Sequence, residues 1–280
     1  MRVGITCFIT DRTVRPDELA VEAEARGFAS LYLPEHTHIP VSRRTPAPTG
    51  DDELDDGYRR TLDPWVSLAS AGAVTTRIRL GTGVALVAQH DPIALAKAVA
   101  TLDHLTGGRA VLGVGFGWNR EEMEDHGVVP GRRREVVREH VLAMQALWSQ
   151  EEASFEGEFV HLSPSWAWPK PVSGRVPVLV GGGAGPKLFA AIADYADGWM
   201  PIGGAGLARS LPQLREVWSA AGRPPAALEV VPFGVLPDAG RLDHHRGLGV
   251  TEVVLRVPAA SRDEVLPELD RLAELVTFST

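Results

Sequence analysis

The chain has 280 residues, 44% of them hydrophobic and 23% charged. That balance fits one large globular domain, and α/β barrels often reach this length undivided. The net charge of -8 argues against a nucleic-acid partner, because phosphate binding calls for a basic face. No apolar run approaches the ~20 residues that span a bilayer. A single cysteine, Cys7, excludes an internal disulfide and a multi-cysteine metal site.

Met1-Arg2-Val3-Gly4-Ile5 starts a strand directly, without signal-peptide architecture, so a reduced, cytoplasmic location is expected. Val3 to Ile9 reads as the first buried strand. Asp11 or Thr13 can cap the next helix, Pro16 suits its first turn, and Gly27 ends it. Ala29 to Leu33 is a second strand, running into Pro34-Glu35-His36. A polar insertion from Thr37 to Leu62 follows, with Arg43, Arg44 and the acidic run Asp51 to Asp56. It reads as a solvated loop or an active-site lid. Asp63-Pro64 opens a helix to Thr76, and Ile78 to Leu86 is a third strand carrying Gly81 and Gly83. Asp91-Pro92 opens a helix to Leu105. The fourth strand follows at Arg109 and ends in Gly113, Gly115, Phe116, Gly117, Trp118 and Asn119.

From Arg132 to Trp148 the periodicity is helical, with Val137, Val141, Met144 and Trp148 on one face. Ala153 to Leu162 alternates around Glu156-Gly157 as a hairpin. A proline- and tryptophan-rich connector runs from Ser163 to Pro177. The fifth strand, Val178 to Val180, ends in Gly181, Gly182 and Gly183. Strands at Gly198 to Pro201, Leu228 to Leu236 and Glu252 to Val257 alternate with further helices. The last helix, Ser261 to Phe278, turns Val265, Leu269, Leu272 and Val276 inward.

Eight strands alternating with helices predict a single (β/α)8 TIM barrel over residues 1–280, with insertions in its βα loops: the 37–62 lid and the 153–177 hairpin and connector. A doubly wound open sheet is the alternative. In a barrel the strand C-termini share one face, so the glycine clusters after strands three to six converge there. Backbone amides at glycine-rich strand-to-helix turns bind phosphate well. A large, flat, phosphorylated cofactor is the natural ligand. No His-Glu-x-x-His pattern occurs, and no metal is expected.

Several stretches carry a family resemblance: Gly27-Phe28 with Leu31 to His36, Leu80 to Val84, Gly113 to Asn119, Phe155-Glu156-Gly157, Lys170-Pro171, Gly181 to Gly183, and Ala196 to Trp199. In order and spacing the chain resembles the luciferase-like monooxygenase superfamily, and within it the coenzyme F420-dependent oxidoreductases. The resemblance implies a non-proline cis peptide under the central cofactor ring, at Gly83–Val84. It also implies a phosphate turn at Gly181, Gly182 and Gly183, with Gly115, Phe116, Gly117 and Trp118 lining the ring or phosphate. His36 matches a histidine over the reactive face of the ring and is the candidate proton donor, with Glu35 beside it either orienting the imidazole or structural. Trp118 stands where sugar-phosphate dehydrogenases of the group carry a glutamate acid. Phe116 stands where the luciferases proper carry an arginine.

The implied activity is hydride transfer between F420 and a small organic substrate, in a homodimer. Arg43, Arg44 and Arg132 to Arg134 would suit the polyglutamate tail of F420, and Trp166, Trp168 and the insertion would cap an apolar substrate pocket. An FMNH2-dependent monooxygenase using FMN is the alternative reaction on the same fold. A non-catalytic flavin- or deazaflavin-binding homologue is the alternative of another class.

Overall fold

A computed structural model describes residues 1–46 and 54–277. Asp51, Asp52 and Glu53 of the acidic run and Phe278 of the last helix lie outside them. Nine strands form one parallel sheet in the order β10-β11-β1-β2-β3-β4-β7-β8-β9. These are β1 (Arg2–Thr6), β2 (Ser30–Leu33), β3 (Arg79–Thr82), β4 (Ala110–Val114), β7 (Val178–Gly181), β8 (Gly198–Met200), β9 (Glu229–Val230), β10 (Phe233–Val235) and β11 (Glu252–Arg256). An antiparallel hairpin, β5 (Ala153–Glu156) and β6 (His161–Ser165), stands apart. The sheet is curled. Only Val231 and Pro232 separate β9 from β10, and Phe233 N–H donates to Pro201 O of the β8 end at 2.7 Å.

Helices cover the outer face: α1 (Pro16–Ala25), α3 (Pro64–Val74), α4 (Pro92–Leu105), α6 (Arg133–Ser149), α7 (Pro186–Tyr195), α8 (Leu207–Ala220), α9 (Ala239–Gly247) and α10 (Arg262–Thr277). Two short ones, α2 (Asp56–Arg60) and α5 (Arg120–Asp125), lie in the loops after β2 and β4. No helix among the described residues is long and apolar enough to cross a membrane. The helical face read for α6 is core: Val137, Val141, Met144 and Trp148 are all buried. Asp63 and Asp91 cap α3 and α4 through the amides of Val66 and Ala94. Neither Asp11 nor Thr13 caps α1. Its N-cap is Arg15, without a side-chain bond, because Thr13 instead accepts from the Thr10 amide.

The two-residue strand period divides the sheet cleanly. Outward residues such as Ile5, Leu31, Leu80, Leu112 and Leu255 join the helices in the main core. Strands buried on both faces need apolar residues throughout, which is why their runs read as continuous. Inward residues stack in layers. Ser30, Arg79, Glu229 and Glu252, with Arg2, form an ionic layer at the N-terminal end of the strands. Glu252, fully buried, accepts from Ser30 Oγ, from Arg2 Nε at 2.9 Å and from Arg79 Nη1 at 3.1 Å. Above it Tyr32, Val111, Leu179, Met200, Val231 and Val254 form an apolar layer, with Val84 and Phe233 half-exposed on top.

Outside the sheet, Glu24 of α1 gathers the backbone amides of Thr76, Arg77 and Ile78 at 3.0, 2.7 and 2.8 Å. Burial pushes this carboxyl up, but the amides outweigh it and hold it down at about 2, against an ordinary 4.5. A depressed carboxyl stabilises the fold above its unfolded pKa, and the contribution is lost as pH falls through the folded one. The stability gap between wild type and Glu24→Ala, measured by urea midpoints, is therefore expected to narrow from pH 4.5 toward 2.

Candidate active site

Above the apolar layer three inward positions are glycine, and the room this gives is taken up by Val84 and Phe233, whose half-exposed side chains floor the hollow above them. A Cβ on Gly115 would collide with Val84, and one on Gly181 would lie 3.2 Å from Val84 Cγ1. A Cβ on Gly83 would collide with the Phe233 ring. Val84 thus reaches from the β3 end across β4 to β7, Phe233 comes in from the opposite edge, and together they floor the hollow. The Gly83–Val84 peptide is cis. β3 ends at Thr82 and does not run unbroken to Leu86: Gly83 N–H still donates to Leu33 O at 2.7 Å, pairing resumes at Ala85, which bridges Val114, and a short 3-10 turn follows at Val87–Gln89.

Three residues beyond Leu33, at the C-terminal end of β2, sits His36. Its Nδ1 lies 2.9 and 3.1 Å from the two carboxylate oxygens of Glu122, whose side chain is 1% exposed. On the other side, Trp118 Nε1–H donates to His36 Nε2 at 3.4 Å. An indole N–H only donates and a carboxylate only accepts. Both contacts are met by one neutral tautomer, with the proton on Nδ1 and the lone pair on Nε2. Tyr58 of α2 packs against this pair, its ring centroid 5.4 Å from His36 and 5.9 Å from Trp118, and Phe8 backs Tyr58 at 4.9 Å. Burial raises the Tyr58 phenol above its ordinary value.

Glu35 does not orient His36. Its carboxylate is turned away, accepting the Leu86 amide at 2.6 Å and pairing with His90 Nε2 at 2.8 Å. Burial lowers the His90 imidazole, but the bond to Glu35 and its charge outweigh that and raise it. His90 is therefore one half of a half-buried ion pair with Glu35. Glu122, which the sequence reading passed over, takes the orienting place. Its neighbour Glu121 holds the insertion, accepting from the Arg44 amide at 2.7 Å, Arg44 Nε at 3.0 Å and Thr45 Oγ1 at 2.7 Å. The Thr45 hydroxyl and Arg44 amide lead in holding the Glu121 carboxyl down at about 2. Asn119 caps α5, so both glutamates stand in the first turn of a helix begun by a side-chain cap.

The other expected site residues fall in two places. Phe116 and Gly117 lie half-buried beyond Gly115, with the Arg134 guanidinium 4.3 Å over the Phe116 ring. Gly182 has φ +139°, and its carbonyl accepts from Trp199 Nε1 at 3.0 Å. Gly183 is exposed, with nothing within 4 Å of an added Cβ. α7 begins just after, at Pro186, without a side-chain cap. A cavity of about 890 Å³ beside Gly117 and Trp118 is lined by Arg44, Arg120 and Arg133. Arg44 is spent on Glu121, and Arg132 on Glu158 at 2.8 Å. Among the described residues no carboxylate pairs with Arg120 or Arg133. Trp166 and Trp168 do not cap the hollow; both are exposed, and the Trp168 carbonyl accepts from Lys97 on α4. Among the described residues no group of His, Cys, Asp or Glu is placed to hold a metal.

An uncharacterized protein of Mycobacterium tuberculosis is 51% identical over 276 residues, 98% of each chain. The F420-dependent glucose-6-phosphate dehydrogenase of Kineococcus radiotolerans is 31% identical over 217 residues, 74% of this chain and 58% of that protein. Among solved structures, the monooxygenase RslO1 from Streptomyces bottropensis superposes with a TM-score of 0.80 at 21% identity, over 99% of both chains. An F420-dependent secondary alcohol dehydrogenase with an F420-acetone adduct superposes at 0.78 and 19% identity, over 100% of this chain and 99% of that one. Residues 11–236 match the luciferase-like monooxygenase family, and with the curled parallel sheet and these relatives they make the chain a member of that family.

Proposed function

We propose that this protein is an F420-dependent oxidoreductase acting on a small organic substrate, built on a closed (β/α)8 barrel in which β9 and β10 are one strand interrupted at Pro232. The glycine-lined hollow beside the His36–Glu122 pair carries the reading. Gly83, Gly115 and Gly181 let Val84 and Phe233 lie close against the strand ends, and a flat ring would rest on those two side chains, with Phe116, Gly117 and Trp118 along its side. Gly181, Gly182, Gly183 and the uncapped amides of α7 suit a phosphate. When bound, the deazaflavin supplies the carbon that accepts or donates hydride. The relative from Kineococcus radiotolerans supports F420 over FMN. So do Arg120 and Arg133, whose cavity would take the carboxylates of the F420 tail.

His36 handles the accompanying proton. Its Nε2 takes the proton from a substrate hydroxyl in oxidation and returns it to the developing alkoxide in reduction. Glu122 keeps the lone pair on Nε2 and stabilises the imidazolium as it forms. The long bond from Trp118 is readily displaced by a substrate oxygen, while Tyr58, Trp118 and Phe8 exclude water. A homodimer would use the outer faces of α3 and α4, where Val66, Val74, Ile93 and Leu105 are exposed and α3 has no charged residue.

Purified protein is titrated with oxidised F420 and separately with FMN, following fluorescence quenching, with its mass in solution read by light scattering. Tight F420 binding, weak FMN binding and a dimer are expected. The reverse preference replaces this reading with the FMN monooxygenase. Failure to bind either overturns both cofactor readings.

A further inference from the structure

β11 contributes one side chain to each inner layer. Glu252 belongs to the ionic layer and Val254 to the apolar layer. By the same two-residue period Arg256, the last residue of the strand, points inward one layer higher, at the rim of the hollow. Its register partner is Thr6 of β1. Phe8, two residues past Thr6, stacks on Tyr58. Gly234 has no side chain to obstruct the guanidinium: even an added Cβ there would lie 3.7 Å from Arg256 Nη2. The Arg256 charge reaches the Tyr58 phenol, opposing the rise that burial imposes. Among the described residues no carboxylate pairs with Arg256.

Toward His36 the groups nearest this end of the sheet are apolar or aromatic, while on the α10 side Arg256 shares a groove with Glu264, Glu268 and Arg271. Val84 and Phe233 form the floor, Tyr58 and Trp118 the wall by His36, and Leu236 and Ile202 are exposed on the rim. Arg256 also lines a groove of about 800 Å³ with Leu236, Pro237, Pro258 and Ala260. Of the acids on that groove, Glu268 is paired with Arg271, and Glu264 accepts from the Ser261 hydroxyl at 2.8 Å and keeps its charge. The glycine turn suited to the cofactor phosphate is on β7, with β1, β2, β3 and β4 between it and β11 in the sheet. His36 follows β2, with only β1 between.

We infer that Arg256 binds the carboxylate of the substrate, and that the substrate is a small organic acid whose apolar body lies over Val84 and Phe233 with its reactive carbon–oxygen centre toward His36. The inference rests on the oxidoreductase reading and specifies its substrate class. A guanidinium presents two parallel N–H donors that match a planar carboxylate. A phosphate dianion would draw on a second cation, and the other cation of the groove, Arg271, is held by Glu268.

The test measures binding by ligand-observed NMR on cofactor-free protein, so it stands whether or not F420 binds. The probes are mandelate and 3-hydroxybutyrate, their neutral counterparts 1-phenylethanol and 2-butanol, and phenyl phosphate. Wild type is expected to hold at least one acid about tenfold or more tighter than its neutral counterpart. Arg256→Met should abolish that preference and Arg256→Lys retain part of it, with F420 affinity unchanged in both. Three results would overturn the inference: no acid preference in wild type, a preference that survives Arg256→Met, or phenyl phosphate bound tighter than either acid with the same dependence on Arg256. A fall in F420 affinity in Arg256→Met would reassign the residue to the cofactor and overturn it as well.

Discussion

His36→Asn is expected to lower single-turnover hydride transfer by about 10²–10⁴-fold, the usual worth of a positioned acid–base group, with F420 binding retained. Binding survives because the glycine hollow and the α7 turn do not involve the imidazole. Glu122→Gln should fall in the same range for a different reason. A carboxamide can donate to Nδ1, which stabilises the opposite tautomer and puts a proton on Nε2, facing the Trp118 N–H. The base is then lost although the shape is kept. Because the two residues act as a unit, the double variant should be little worse than either single one. Rates of both variants within twofold of wild type would remove the pair from the chemistry. His36→Asn also leaves a buried carboxylate without its partner, so its melting temperature must be read alongside its rate.

Glu252→Ala should destabilise the fold by about 3–5 kcal/mol, the cost of breaking a buried ionic network from one side. The substitution leaves the guanidinium of Arg79, which is 21% exposed, with Glu229 at 3.4 Å as its remaining carboxylate, and strands the Ser30 hydroxyl. Glu252→Gln, which keeps the shape and one acceptor, should lose less. Guanidinium denaturation with equal m-values across the series checks both. The ionic layer lies at the opposite end of the strands from His36, so the folded fraction should keep wild-type cofactor affinity. Unchanged midpoints in Glu252→Ala would mean that Arg2, Arg79 and Glu229 are solvated enough to manage without it.

The elements that could be read from the chain were those set by local chemistry. Asp91-Pro92 starts α4 because an aspartate cap and a proline at the first position suffice without tertiary help. The inward glycines were legible as a group because several strand ends carried them, and their shared face follows from the alternation of strands and helices. What escaped was decided by contacts distant in sequence. Glu121 and Glu122 drew no reading from the sequence, because acids are ordinary in the first turn of a helix; only the fold brings Glu122 to His36, 86 positions away. A second glutamate in a first turn that is too short to show a helical stripe was the sole signal. Adjacency to His36 could not decide between the two roles open to Glu35, since neighbouring residues at a strand end point to opposite sides, and its bonds to Leu86 and His90 make it structural. The end of β3 was misread because glycine permits both the strand and the turn leaving it. Trp166 and Trp168 were read as pocket walls on size alone, which cannot tell a lining residue from an exposed one.

The first turn of α5 joins two events that are separate in the sequence. One carboxylate restrains Arg44 and Thr45 of the insertion, and the next restrains the imidazole. If that turn has an ordered and a frayed state, anything that favours order at one glutamate favours it at the other by the same free energy, in both directions. A ligand that draws the insertion down would then sharpen the population of correctly aimed imidazole without touching it, and an imidazole held by substrate would slow the insertion's release.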